Sequence, residues 1–229
     1  MILRSTKLVA SPAHAEEAVR LYRAYTQPFT RQCSGSVAVR LYRHIETPNT
    51  FFVHSWWRSL EDVRLATAQP EYAAMAASVR EIAIERLSTW ELAVDRDHTH
   101  GLRVEPAGTE VMRTARVVAR PGEVDRLRDL YEAHTHDHLL RQRGCLGVRA
   151  MRLLSTPNTF FTQSYWRHRA DLAAVLAHER HAALLAAVVP LVLERIRAWN
   201  LSLLEDDPEV PLFALPGAGG HAGVPVAMG

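Results

Sequence analysis

The sequence predicts an α+β protein built from two fused βαββαβ units, and three observations support this prediction. Residues 33–92 and 142–201 align without a gap at a constant offset of 109 residues. The order of strand-like and helix-like segments is the same in both copies. Each copy is about 100 residues long, which is the length of a small domain and not of a solenoid repeat. We therefore expect two copies of one domain to work as a pair.

Each copy begins with a predicted strand, at residues 2–10 and 111–119. Pro12 and Pro121 follow at the first turn of a helix, where the missing N–H of proline does no harm. Residues at helical spacing then form a stripe that is expected to face the sheet. In the first copy the stripe consists of Ala15, Ala18, Tyr22, Tyr25 and Phe29, and in the second of Val124, Leu127, Tyr131, His134 and His138.

A β-hairpin is predicted next in each copy, because a Thr-Pro-Asn turn joins two β-rich runs. The runs are residues 37–45 and 50–57, repeated at 146–154 and 159–166. Alanine-rich helical stretches (60–82 and 170–191) and closing strands (85–93 and 194–203) complete each copy. This order is the ferredoxin-like split unit, whose sheet carries helices on one face only. The second copy is expected to cover the bare face of the first.

The domain boundaries follow from these elements. Residues 1–94 form the first unit, 95–109 a polar linker, 110–204 the second unit and 205–229 an extended tail rich in proline and glycine. Histidines accumulate in the second copy where the first has mostly aromatic or amide residues. The second unit is therefore the candidate catalytic half, and the first a degenerate half; drift on exposed faces is the alternative.

Composition limits the function classes. The formal charge of +2 gives no case for nucleic acid binding, and 48% hydrophobic content is ample for folded cores. The first residues do not resemble a signal peptide, and no apolar run approaches the roughly 18 residues of a membrane span. Cys33 and Cys145 do not occupy matching repeat positions, so we expect reduced thiols in a cytoplasmic protein. Phosphate-binding loops, Cys-x-x-Cys pairs and nucleophile elbows are absent from the sequence.

The end of each hairpin carries the same sequence pattern, which is a strand ending in Trp, a short charged run and a second helical segment. It reads SWWRSLEDV at 55–63 and SYWRHRADL at 164–172, followed by QPEY at 69–72 and HERH at 178–181. This pattern resembles that of the antibiotic biosynthesis monooxygenase family. Residues 144–147, Gly-Cys-Leu-Gly, are similar to the family's Pro-Gly-Cys-x-Gly turn, with Arg143 in place of the proline.

The resemblance implies a dimeric α/β barrel, here formed within one chain. It also implies an oxygenase that uses O2 on an aromatic polyketide, by deprotonating an anthrone or phenol in an apolar pocket. No bound cofactor is implied. The tandem arrangement further resembles the angucycline B-ring-opening oxygenases of jadomycin-, gilvocarcin- and kinamycin-type pathways. Those draw on reduced flavin as a diffusible co-reductant, which makes a flavin reductase a candidate partner. A homodimer of the fused pair is a further expectation.

Two departures from the family pattern bear on mechanism. Actinorhodin-type enzymes place an Asn four residues before the strand Trp, and here that position is Val53 or Thr162. The haem-degrading branch places its axial His about nineteen residues past the Trp, and here those positions are Ala76 and Leu185. The resemblance therefore supports neither the Asn-assisted mechanism nor haem ligation.

The candidate catalytic residues are His134, His138 and Trp166. An imidazole with its ordinary pKa near 6.5 suits a general base for an acidic phenol, and a Trp can wall an aromatic pocket. The alternatives are a solvated helix end, a metal site that includes Asp137, and a packed core Trp. Candidate substrate-binding residues are Tyr131, Thr162, Ser164, Phe160, His178, His181, Trp57 and Arg149. For Arg149, pairing with an acid between the sheets is the favoured alternative.

Two other function classes remain open on this scaffold. One is a haem- or metal-dependent enzyme. The other is a non-catalytic protein that binds an aromatic ligand or assists a cyclase.

Overall fold

The computed structural model describes residues 1–99 and 104–205, which form a closed eight-stranded antiparallel barrel. The order around the barrel is β1-β3-β2-β8-β5-β7-β6-β4. Its strands are β1 (Ile2–Val9), β2 (Ser36–His44), β3 (Thr50–Trp57), β4 (Ser88–Asp97), β5 (Val111–Val118), β6 (Cys145–Leu153), β7 (Thr159–Trp166) and β8 (Arg197–Glu205). Each copy contributes four neighbouring strands. The predicted intramolecular barrel of two ferredoxin-like units is therefore confirmed.

The two copies are joined at both edges of their sheets. β2 pairs with β8, for example at His44 and Leu201, and β4 pairs with β6 from Leu92 opposite Leu153 to Asp97 opposite Arg149. Each described strand consequently has a hydrogen-bonded neighbour on both sides. Closure of this kind removes the exposed strand edges that would otherwise invite association.

The helices pack outside the barrel. They are α1 (Ala15–Leu21), α2 (Gln27–Gln32), α3 (Leu60–Thr67), α4 (Pro70–Ile82), α5 (Val124–Asp137), α6 (Arg169–Leu176) and α7 (Glu179–Val188), with a π-helical turn at Tyr22–Thr26 between α1 and α2. Within the described residues no individual helix has the length and apolarity to cross a membrane, although the bent pair Arg169–Leu176 and Glu179–Leu191 passes that test jointly.

The prediction of one long helical stretch after each hairpin was wrong, because each stretch is two helices. In the first copy Pro70 starts a new helix, and Gln69 before it is extended, as residues before proline usually are. In the second copy, which has no proline at this point, the side chain of His178 caps α7 by accepting a hydrogen bond from the backbone of Arg180.

The closing strands also begin and end later than predicted. β4 starts at Ser88 and continues to Asp97, into the stretch assigned to the linker. Pairing with β6 of the other copy explains this extension, because that pairing is non-local and leaves no mark on the local pattern. The predicted tail, beyond Glu205, lies outside the described residues.

The barrel interior is aromatic but contains a polar core. Strand alternation directs Phe52, His54 and Trp56 of β3 inwards, together with the matching side chains of β7. Arg149 is fully buried there, with its guanidinium 4.9 Å from the centre of the Trp56 ring. Two nitrogens of its guanidinium donate to Asp97 Oδ2, at 2.8 and 3.0 Å. This ion pair holds the guanidinium in the interior, where the two copies meet.

The described part of the predicted linker completes this polar core. Arg149 also donates to the backbone oxygen of Val104 at 2.8 Å. Tyr42 donates its hydroxyl to Glu105 at 2.5 Å, and Arg40 lies 3.5 Å from the same carboxylate. The equivalent arginines of the two copies thus each face a carboxylate from the segment that joins them.

Candidate functional site

A cavity of about 650 Å³, part of which is open to solvent, lies between the helices of the second copy and the outer face of its sheet. We call this cavity the second-half cavity. Its lining, apolar with a few convergent polar groups, is typical of small-molecule sites. The side chains that line it come from β5, α5, β7, α6 and α7, and they include Arg113, Ala115, Tyr131, His134, Thr162, Ser164, Trp166, Leu172, His181 and Leu184. Six of the predicted site residues are therefore brought together here.

Trp166 forms a fully buried wall of the second-half cavity. Its indole N–H donates to Ser164 Oγ at 2.9 Å, so this donor is occupied within the protein. The same bond joins Trp57 to Ser55 in the first copy. Trp166 consequently shapes the cavity, and Ser164 supplies the hydroxyl group beside it.

Tyr131 stands on α5 with its ring edge against Phe160, at a centroid distance of 5.4 Å. Burial raises the pKa of Tyr131 to about 12, so its hydroxyl group remains protonated at neutral pH. It can therefore donate a hydrogen bond to an oxygen atom in the cavity. Phe160 lies behind this ring and lines a smaller neighbouring cavity of about 370 Å³.

Four histidines form a chain that runs from the second-half cavity to the surface. His134 and His181 line the cavity with ring centroids 5.8 Å apart. His138 is buried 5.0 Å behind His134, and exposed His178 follows at 4.6 Å. The stripe predicted for the second copy is thus correct, and exposed His136 lies on the other side of α5. The stripe predicted for the first copy was wrong at Tyr25, which is exposed.

The electrostatic environment keeps the inner histidines neutral. Burial, followed by the neighbouring His138 and His181, lowers the pKa of His134 to about 4. The pKa values of His138 and His181 are lowered as well, mainly by burial. Within the described residues, His134 Nε2, His138 Nε2 and His181 Nδ1 are buried without a hydrogen-bond partner. A neutral imidazole of this kind can accept a proton from a ligand.

Arg113 is a cavity residue that the sequence reasoning missed. It donates to the neutral Asn200 Oδ1 at 2.9 Å, and burial lowers its pKa. The equivalent Arg4 of the first copy instead pairs with the Glu91 carboxylate at 2.5 Å. The exchange of Glu91 for Asn200 between the copies was the available signal. A guanidinium bonded to an amide can stabilise an oxyanion of a ligand.

The model of the Antibiotic biosynthesis monooxygenase family matches residues 1–78 and 111–188, more than half of the chain. The chain belongs to this family. Membership supports an oxygenase role in general terms. No curated protein matches the sequence significantly.

Solved structures show the same fold at low sequence identity. An anthrone oxidase-like protein superposes with a TM-score of 0.75 at 12% identity, over 90% of this chain and 92% of that one. A protein from Fusobacterium nucleatum named as a monooxygenase gives 0.69 at 10% identity, over 90% and 93%. A regulator of staphylococcal pathogenesis gives 0.56 at 7% identity, over 90% and 100%. At these identities the likeness shows the fold alone.

Four predicted substrate-binding residues, Arg149, Trp57, His178 and Phe160, do not line the second-half cavity. Arg149 is inside the barrel, where Asp97 and the backbone of Val104 bind it. Trp57 lines the equivalent cavity of the first copy. His138 and His178 stand behind His134 and are not cavity-lining residues. The sequence thus identified six of the residues that line the second-half cavity but did not separate them from candidates that lie elsewhere.

The side chains of His98, Glu132 and His136 form a group that could bind a metal ion, because one potential ligand atom from each lies within 4.8 Å of the others. Both histidines contact Glu132 Oε1 at 3.1 Å, and Arg96 lies 3.4 Å from the same oxygen. The carboxylate is therefore already balanced by a guanidinium, which would repel a metal cation. We interpret this group as an ion-pair cluster that ties α5 to β4. The two positions where relatives hold haem, Ala76 and Leu185, offer no ligand atom.

Proposed function

We propose that this protein is an oxygenase that uses O2 to oxidise a phenolic aromatic polyketide of the anthrone or angucycline type. The second-half cavity is the proposed site. The observation that carries the proposal is a neutral, half-buried His134 that shares an aromatic-walled cavity with the half-buried cation Arg113. One group accepts a proton and the other balances the resulting negative charge.

The first step is deprotonation of the substrate. His134 Nε2 has no partner within the described residues, so it is available as the base. Arg113, with Tyr131 as a neutral donor, stabilises the oxygen on which charge develops. The apolar walls exclude water, which strengthens these interactions. Conversion of the substrate to an electron-rich anion prepares it for reaction with O2.

The second step is electron transfer from this anion to O2, followed by combination of the two radicals. For an anthrone, one oxygen atom enters the substrate to give the quinone, and the other leaves as water. The two hydrogens of the oxidised methylene carbon supply the hydrogens of that water. The balance therefore needs no external reductant, metal or bound prosthetic group.

Ring opening by oxygen insertion into a C–C bond has a different balance. Reduction of the second oxygen atom to water then requires two electrons and two protons from outside the substrate. Reduced flavin, delivered by a flavin reductase, is the proposed source. Flavin acts here as a diffusible reagent, in line with the lack of a nucleotide-binding fingerprint in the sequence.

Oxygen uptake by the purified protein tests this proposal. We expect consumption of one O2 per quinone formed from an anthrone. With reduced flavin, which itself consumes O2, we expect enzyme-dependent formation of oxidised product from an angucycline-type phenol. Absence of enzyme-dependent oxidised product from both substrates, with and without reduced flavin, would contradict the proposal. A Soret band or stoichiometric metal whose removal abolishes uptake would instead favour a haem- or metal-dependent enzyme.

A further inference from the structure

The first copy holds a cavity at the position equivalent to the proposed active site. It has a volume of about 850 Å³ and lies between α1–α4 and the outer face of the first sheet. We call it the first-half cavity. Its walls are mostly aromatic and aliphatic, and they include Tyr22, Phe29, Phe51, Trp57, Tyr72 and Met75. Its lining is typical of a site for a small organic ligand.

The cationic group of the first-half cavity is neutralised by its own neighbours. Arg4 binds Glu91 at 2.5 Å and donates to the Tyr72 hydroxyl at 2.6 Å. Its guanidinium also lies over the Tyr72 ring, 5.5 Å from the centre. An anionic ligand would have to compete with Glu91 for Arg4. An uncharged ligand would not, because the charge of Arg4 is already neutralised.

The histidines of the second copy are also replaced by other residues in the first-half cavity. Of the described residues that line the first-half cavity, none is a histidine. Phe29 stands where the second copy has His138, and Tyr72 where it has His181. Proton abstraction by an imidazole is consequently not available in this cavity, although the packing surface for a flat molecule is retained.

We propose that the first-half cavity is a second binding site, selective for an uncharged planar aromatic molecule that it holds without proton transfer. Selectivity comes from the group bonded directly to the cavity arginine. Arg4 binds the Glu91 carboxylate, whereas Arg113 binds the Asn200 amide, and the carboxylate of Glu46 lies on the far side of that amide. The first site therefore takes the neutral form of an aromatic ligand, and the second takes the anionic form. This inference concerns binding and does not depend on turnover in the second copy.

Equilibrium binding of two matched fluorescent probes to the full chain tests the inference. The neutral probe is 2-aminoanthracene and the anionic probe is anthracene-2-carboxylate, both at pH 8. Ala76→Phe fills the first-half cavity, and Ala115→Phe, the matched control, fills the second. We expect Ala76→Phe to weaken binding of the neutral probe by about tenfold or more, and Ala115→Phe to change it less than about twofold.

A charge variant gives an independent test in case Ala76→Phe does not fold. In the Ala115→Phe background, Glu91→Asn leaves Arg4 without its carboxylate. We expect the affinity for anthracene-2-carboxylate to rise about tenfold, as for a new charge-assisted hydrogen bond.

Three results would overturn the inference. They are no saturable binding of the neutral probe, equal weakening by Ala115→Phe, and an unchanged affinity for the anionic probe in Glu91→Asn. Because oxygen uptake is not measured, these results separate this inference from the proposed oxygenase activity.

Discussion

His134 and His138 stand one turn apart on α5 with ring centroids 5.0 Å apart, and neither has a partner for its Nε2 within the described residues. Buried polar atoms are rarely left unpaired unless a ligand, water or reaction uses them. Each ring also lowers the tendency of its neighbours to protonate. The pair is therefore organised to remain neutral until a ligand delivers a proton.

The pH profile of turnover should reflect this depressed basicity. Because burial and the neighbouring imidazoles lower the pKa of His134 to about 4, the base is unprotonated well below pH 6.5. We expect kcat/KM to stay level from pH 8 to about pH 5 and to fall towards pH 4. A fall centred on pH 6.5 would show that the titrating group is an exposed histidine.

The free energy of unfolding should decrease as the pH falls below 6.5. Burial lowers the pKa of interior His54 to about 3, whereas in the unfolded chain it is near the ordinary 6.5. The unfolded chain therefore binds more protons between pH 6.5 and 3, and stability present above pH 6.5 is lost through this window.

His54→Gln, which installs the residue of the second copy, should test the source of this pH dependence. We expect the slope of the unfolding free energy between pH 6 and 4 to decrease by about 1.4 kcal/mol per pH unit. Urea titrations at several pH values measure it. An unchanged slope would mean that His54 does not titrate between the folded and unfolded states.

Arg149→Ala should destabilise the barrel by about 3–5 kcal/mol, because it leaves interior groups without their partner. The arginine binds Asp97 and packs over Trp56, and no part of it is exposed. Arg152→Ala, an exposed position on the same strand, is the matched control and should change stability by less than about 0.5 kcal/mol. If urea denaturation showed that both variants lower the free energy of unfolding equally, the structural role assigned to Arg149 would be wrong.

Trp166→Ala should cost about 3–5 kcal/mol of stability, since it empties a fully buried indole site. Trp166→Phe should retain most of the packing but lose the bond to Ser164. We therefore expect Trp166→Phe to bind the substrate more weakly while unfolding at nearly the same urea concentration as the wild type. If Trp166→Phe bound substrate with unchanged affinity, the indole would have no role in shaping the site.

The sequence predicted the elements well because their causes are local. Alternation along a strand puts Thr162, Ser164 and Trp166 on one face of β7, and all three line the second-half cavity. Helical spacing likewise placed His134 and His138 on one side of α5. The internal repeat predicted the pairing of two units, since a sheet with one bare face needs a partner.

The interactions that were missed depend on contacts between distant segments. Arg113 meets Asn200 only because β5 pairs with β8, and Arg149 meets Asp97 only because β4 crosses to the other copy. Glu105 reaches Tyr42 from the stretch between the domains. Local patterns carry no information on such register. They therefore could not show that Arg113 lines a cavity or that Asp97 is the partner of Arg149, although pairing of Arg149 with an acid between the sheets was the favoured expectation.

The most direct test of the central claim is oxygen uptake on an anthrone by the His134→Gln protein, beside a His136→Gln control on the opposite side of α5. We expect kcat to fall by about 100-fold or more in His134→Gln, with the fold retained, and to change less than about threefold in His136→Gln. Full oxygen uptake in His134→Gln would contradict the account, because the second-half cavity would then work without its proposed base.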